Sequence, residues 1–327
     1  MATITIPAGI TSTGLIIEAG DVLNIENGGS ATNTTENGGA VNIKDGGYAD
    51  FLTNTVTGLT INNAVMTVHK NTVANENTFG AGGTLKVYDG GIASGNILNV
   101  GNGNVEVYSG GKVYGTTASV GEGHFTVYDG GYAENIVFNG NWRWGSGLTV
   151  MMNATVTGAT VTGDGRMYVS AGAAANNTLQ VAGNIYAEGT LTGFTGTGGA
   201  LHLNEDGVAN DVNLTSATMN VNNGAVASGV TLNERVTVNV AAGGKLDGTT
   251  EVGVYNTVNI ASDGTAVKIK EAGGAVNVTE GGTVEFVENT ITGATVDNYV
   301  MTVHKNTTAN DNVFGAGGTL KVYDGGI

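Results

Sequence analysis

Cysteine is absent from the 327 residues, proline occurs once, at Pro7, and lysine and arginine together number only 12. Without cysteine there is neither a disulfide framework nor a thiolate metal site. The 28 acidic residues bring the formal charge to −16, a field that repels phosphate backbones and anionic lipid, so nucleic acid and membrane surfaces are poor partners. No run approaches the ~18 consecutive apolar residues of a membrane helix, so no membrane insertion of this segment is expected. Residues 1–20 carry no positive charge ahead of an apolar stretch, and any export is expected to depend on a signal outside these residues.

What is plentiful is glycine, at 56 residues, against a usual level of ~7%. With one proline and no every-third-residue pattern this is not collagen. With 40% hydrophobic and 12% charged residues it is not a disordered chain either. The glycines punctuate something folded, and an internal repeat shows what. VYDGG at 87–91, VYSGG at 107–111 and VYDGG at 127–131 place Tyr88, Tyr108 and Tyr128 at a solenoid period.

Inside each unit the apolar residues stand two apart, the strand period. Leu85/Val87, Val105/Val107, Phe125/Val127, Leu201/Leu203, Met219/Val221, Val238/Val240 and Val258/Ile260 form a first inward pair. After a Gly-rich turn a second pair follows: Leu98/Val100, Ile136/Phe138, Leu179/Val181, Val212/Leu214, Val230/Leu232 and Val267/Ile269. One coil buries too little to order itself, so coils must stack ~4.8 Å apart to close a shared core. The fold expected is all-β: a single-stranded parallel β-helix of about 16 coils of roughly 20 residues, strand-loop-strand in each. Gly and Asn suit the corners, where positive φ is needed and stacked Asn side chains can bond along the axis. Residues 1–20 are expected to act as an N-terminal capping strand region, with Pro7 interrupting its ladder, and residues 21–327 as the array.

A longer period overlies the coils. Residues 65–92 recur at 300–327 with three differences, Val73/Thr308, Glu76/Asp311 and Thr78/Val313, and GAVNIKDGG at 39–47 answers GAVNVTEGG at 274–282. The block 39–92 is thus duplicated at 274–327. Identity at surface positions exceeds what packing demands and implies duplication of a whole set of coils. Because Ile327 falls in mid-coil, the chain is expected to be truncated there, with its open edge inviting end-to-end association.

Units such as VYSGGKVYGTTASVGEG, VNVAAGGKLDGTTEVG and NGGSATNTTENGGAVNIKDGG resemble the AIDA-type repeats of bacterial autotransporter adhesins. The resemblance implies a right-handed β-helical passenger at a bacterial cell surface or outside the cell, a non-enzymatic stalk serving adhesion, self-association or biofilm. Its implied partners are host or bacterial surface glycans, further copies of the chain, and an O-glycosyltransferase acting on Ser and Thr. The alternative is a polysaccharide-binding or polysaccharide-cleaving β-helix of the lyase or tailspike type, which would gather acids and a basic residue in a groove made by long loops.

Candidate glycan-binding residues are of two kinds. Tyr88, Tyr108 and Tyr128 either present sugar-binding platforms or stack on one another to stabilise the sheet. Trp142 and Trp144 flank Arg143 in a unit longer than its neighbours, a ligand-like aromatic loop or a cover over an irregular coil. No catalytic, cofactor or metal residue stands out. His69, His124, His202 and His304 lie far apart, and Asp45, Asp89, Asp129 and Asp324 read as Asx turns in preference to a weak cation row.

Overall fold

The structure is a computed structural model and describes residues 1–99, 101–121, 123–140 and 147–327. Among these every regular element is a strand and none is a helix. The chain separates into two compact units, Met1–Tyr168 and Val169–Ile327. Each is a parallel β-solenoid, and together they comprise about 16 turns, as the repeat predicts.

In the first unit one face stacks Val65–Val68, Thr84–Val87, Asn104–Val107, His124–Val127 and Gly147–Val150, each parallel to the next. Register follows the inward pairs, with Leu85 on Val105, Val105 on Phe125 and Phe125 on Leu148. All seven first pairs point inward and are almost fully buried. In the second unit the same face runs Asn184–Ala187, Ala200–Leu203, Thr218–Val221, Thr237–Val240, Thr257–Ile260 and Ala275–Val278.

The second half of each coil carries a bend that the two-residue period does not announce. One left-handed residue makes it, at Glu76, Gly95, Gly115, Asn135 and Gly158 in successive coils. Such a residue resets the inward-outward alternation, and this corrects two of the expected second pairs. In the coil bent at Asn177, Gln180 is buried, Leu179 is half-buried and Val181 is 44% exposed. In the coil bent at Lys268, Ala266 and Ile269 point inward and Val267 does not. Ile136/Phe138, Val212/Leu214 and Val230/Leu232 are buried as expected, and so is Leu98; Val100 lies outside the described residues.

At the corners the glycines are required by their neighbours as well as by φ. A Cβ on Gly110, whose φ is 75°, would lie 2.0 Å from Asp89 Oδ1 in the coil before it. Buried Asn side chains satisfy corner backbone that no strand reaches: Asn96 Oδ1 accepts from Asn77 N at 3.0 Å, and Asn96 Nδ2 donates to Ala74 O at 3.0 Å.

Each unit also contains one seam. In the first, Thr3–Ile6, Val22–Ile25 and Ala40–Ile43 form a separate sheet that stops short of Val65–Val68. Ser30–Asn37 pairs with Tyr48–Phe51 across a bulge between Ala31 and Thr34, whereas Asn54–Thr57 pairs with Thr72–Asn75. The coil therefore changes partners within itself. Ile6, Ile17, Leu23, Ile25, Ala31, Val41 and Phe51 form their own apolar cluster on one side. The second unit repeats this between Ala275–Val278 and Val300–Val303, with Ile291, Val296, Met301 and Val303 clustered beyond.

Candidate functional site

The bend at Asn33, with φ 51°, turns Thr34 and Glu36 inward, so a carboxylate enters the core at the first seam with no exposure at all. Its partners come from the coil across the seam. Thr67 Oγ1 donates to Glu36 Oε1 at 2.6 Å, His69 N donates to Oε2 at 2.9 Å, and His69 Nδ1 meets Oε1 at 2.7 Å. Thr67 Oγ1 in turn accepts from Val41 N at 2.8 Å, and Thr67 N donates to Gly39 O at 3.0 Å. A buried charge is tolerable only when hydrogen-bonded in this way. Glu271, Thr302 and His304 repeat the cluster in the second unit, at 2.8 Å for all three bonds to the carboxylate.

A carboxylate holding Nδ1 of a histidine is two of the three members of a hydrolytic triad, but the third, a hydroxyl on the ring, is not seen in this cluster among the described residues. The hydroxyl of Thr67 donates to the carboxylate and not to the ring. The His69 ring is sandwiched between Phe51 at 4.6 Å and Tyr88 at 4.7 Å. What the cluster does is tie a polar joint across the seam. Residue spacing conceals it, because Glu36 lies 33 residues from His69; the signal that could have found it is that Glu36 and Glu271, like His69 and His304, share the 235-residue offset.

The tyrosines continue this stack. Tyr88 lies on Tyr108 at 4.7 Å and Tyr108 on Tyr128 at 4.9 Å, with interplanar angles of 7° and 11°. A pyranose needs a free ring face, and here faces are turned to neighbouring rings, so between Tyr88 and Tyr128 the column offers edges and hydroxyls to solvent. The Tyr108 hydroxyl donates to Glu106, and burial, then that bond, holds its pKa above the usual phenol range. Phe286, His304 and Tyr323 form the matching column, with centroids 4.7 and 4.4 Å apart. Trp142, Arg143 and Trp144 lie outside the described residues.

A second ladder occupies the outward middle position of the first face in the second unit. Tyr186, His202, Asn220, Asn239, Asn259 and Asn277 stand one above another in register. The amides form a one-way chain: Asn277 Nδ2 donates to Asn259 Oδ1 at 2.8 Å, Asn259 to Asn239 at 2.8 Å, and Asn239 to Asn220 at 2.9 Å. Asn220 Nδ2 then reaches His202 Nδ1 at 3.2 Å, which makes Nδ1 the acceptor and the ring neutral. Tyr186 stacks on the other side of that ring at 4.8 Å. An open groove of about 350 Å³ runs beside the amides, with Ala241 and Ala261 in its lining.

Burial lowers the His202 pKa below its usual value, which gives the ladder a pH dependence of definite sign. The unfolded chain takes up a proton near pH ~6.5, the folded chain only at lower pH. The stabilisation is therefore complete above ~6.5 and is lost as pH falls through the folded value. A melting-temperature series from pH 8 to 5 should show this loss, and His202→Asn, which extends the amide chain, should flatten it. An unchanged profile in the variant would exclude His202 as the group responsible.

Of the remaining sequence candidates, His124 is exposed, and Asp89 and Asp129 share a corner row interrupted by Ser109. Among the described residues no group of three or more His, Asp or Glu is placed to hold a metal ion.

No protein-family model matches the chain, and no curated protein matches it. Among solved structures it is similar to a TibC-catalysed, hyper-glycosylated TibA fragment, at 25% identity and a TM-score of 0.52, covering 87% of this chain and 92% of that one. A mutant tailspike protein of the E. coli bacteriophage HK620, solved with a pentasaccharide, matches at 11% identity and a TM-score of 0.24, covering 99% of this chain and 72% of that one. The first likeness and the solenoid together support an adhesin-like passenger of the autotransporter kind.

Proposed function

We propose that the chain is a non-enzymatic stalk segment of an AIDA-type adhesin, working at the bacterial cell surface or outside the cell in adhesion, self-association or biofilm. The observation that supports this best is the in-register repetition of neutral outward groups from Asn220 to Asn277. Each such group is a weak contact; repeated at one coil spacing, they sum on a partner that is itself repetitive. Surface glycans and a second copy of the chain both have that property. Outward threonines such as Thr155, Thr157, Thr190 and Thr192 are the acceptors proposed for an O-glycosyltransferase, by analogy with the glycosylated neighbour. Trp142, Arg143 and Trp144, with the edges of Tyr88, Tyr108 and Tyr128, remain the proposed glycan contacts.

The test is a panel of bacterial and host glycans scored for retention and for cleavage, run beside a bead-clustering assay of the same protein. Saturable retention or calcium-independent clustering without cleavage is the expected result. Reproducible release of reducing ends or unsaturated sugars, or inertness in both assays, would overturn the proposal.

A further inference from the structure

The 235-residue offset of the duplicated blocks, continued a short way upstream of them, pairs positions beside the two seams that differ in how much space they fill. In the first unit a cleft of about 370 Å³ opens on the first face; Gly20, Val22, Ala40, Ala64, Val65 and Met1 line it together with the polar side chains of Thr3, Asp21, Asn42, Asn63 and Lys86. The offset carries Gly20, Val22, Ala40, Ala64 and Val65 to Tyr255, Thr257, Ala275, Tyr299 and Val300. Strand register agrees, since Val22 pairs with Ala40 as Thr257 pairs with Ala275. In the second copy the hydroxyl of Tyr299 bonds that of Thr257, so the phenol ring covers the position that Val22 holds in the cleft wall. Tyr255 meets Tyr299 edge-on at 5.6 Å and 74°. Tyr299 also packs against the apolar cluster beyond the seam.

A neighbouring pair shows what compensated drift looks like at the same seam. A Cβ on Gly38 would lie 2.5 Å from Leu59 Cδ1 and 3.3 Å from Ala19 Cβ; on Gly273 the corresponding contacts are Ala294 Cβ at 3.4 Å and Val254 Cγ2 at 2.8 Å. There the large and small residues have changed places and the space stays filled. Gly20 and Ala64 are both small where Tyr255 and Tyr299 are both large; over Gly20 part of the space is taken by Met1, whose Cε lies 3.4 Å from where a Gly20 Cβ would be, and over Ala64 the volume has been given up. A cleft of this size sits at the lower end of small-molecule pockets.

We propose that the cleft lined by Gly20, Val22 and Ala64 binds a small soluble phenol, whose ring takes the place that the Tyr299 side chain fills in the second copy. The inference is independent of the adhesive reading. The probe is p-cresol, titrated into the full chain and followed by amide resonances, with 4-methylcyclohexanol as the non-aromatic control. Saturable shifts are expected at Val22, Ala40 and Val65 in the wild type. Ala64→Tyr, which restores the side chain of the second copy, should weaken them at least ~10-fold, equivalent to ~1.4 kcal/mol. Tyr299→Ala should add a second saturable set at Thr257, Ala275 and Val300.

The proposal is overturned if the wild type shows no saturable shift at the first cleft, if Ala64→Tyr binds as the wild type does, or if 4-methylcyclohexanol binds equally well. A folded Tyr299→Ala without the second set would overturn the equivalence of the two positions. Should that variant not fold, the wild-type and Ala64→Tyr titrations still decide.

Discussion

Glu36→Ala is expected to destabilise the coils at the first seam by ~3–5 kcal/mol, the cost of leaving buried polar partners uncompensated. The carboxylate is fully buried and serves the Thr67 hydroxyl, the His69 amide and the His69 ring together, so its removal orphans three groups in one place. Because solenoid stability is a sum over coils and their contacts, the damage should be local. Hydrogen exchange at Val41, Thr67 and His69 should speed up strongly, while Val105 and Val107 keep their protection. Glu271→Ala should reproduce the effect at Val276, Thr302 and His304. If both variants retain full protection at these amides, the seams are not held by their carboxylates.

Phe125→Ala should cost a similar ~3–5 kcal/mol by a different route, as a cavity in an apolar core. Phe125 is fully buried, in register with Val105 of one coil and Leu148 of the next. Exchange should quicken in Asn104–Val107 and Gly147–Val150 together, and hold in Thr218–Val221. Phe125→Leu, which restores most of the volume, should recover the greater part of the loss. Equal losses for the two substitutions would point to backbone strain in place of a cavity.

The first-face pairs are legible from the sequence because alternation is unbroken there: Leu85/Val87 and Val258/Ile260 need no information beyond a period of two. The second pairs are less legible, because the left-handed residue that resets the alternation is sometimes glycine and sometimes Asn177 or Lys268, which nothing local marks. Val181 and Val267 are the price of that ambiguity. The buried joint is illegible for another reason. Glu36 sits among Thr, Asn and Gly and has the look of a solvated loop acid, and its partners arrive only when the coil beyond the seam is in place. Tyr88, Tyr108 and Tyr128 are visible as a ladder in the sequence, but whether ring faces or edges meet solvent depends on a 4.7–4.9 Å separation that spacing alone does not give.

The seam also sets how the first unit would respond to being pulled along its stacking direction. Elsewhere on the first face a coil hangs from its neighbour by a full row of strand bonds, loaded together. Between Ala40–Ile43 and Val65–Val68 that row is missing, and tension falls on Thr67 N to Gly39 O, on Asn71 Nδ2 to Phe51 O and on the carboxylate cluster. These would rupture first. The parted halves would stay tethered through Leu52 and Thr53, the short link between the segment paired with Ser30–Asn37 and the one paired with Thr72–Asn75. A chain built on such blocks is expected to open first at its seams, while the coils between them stay whole.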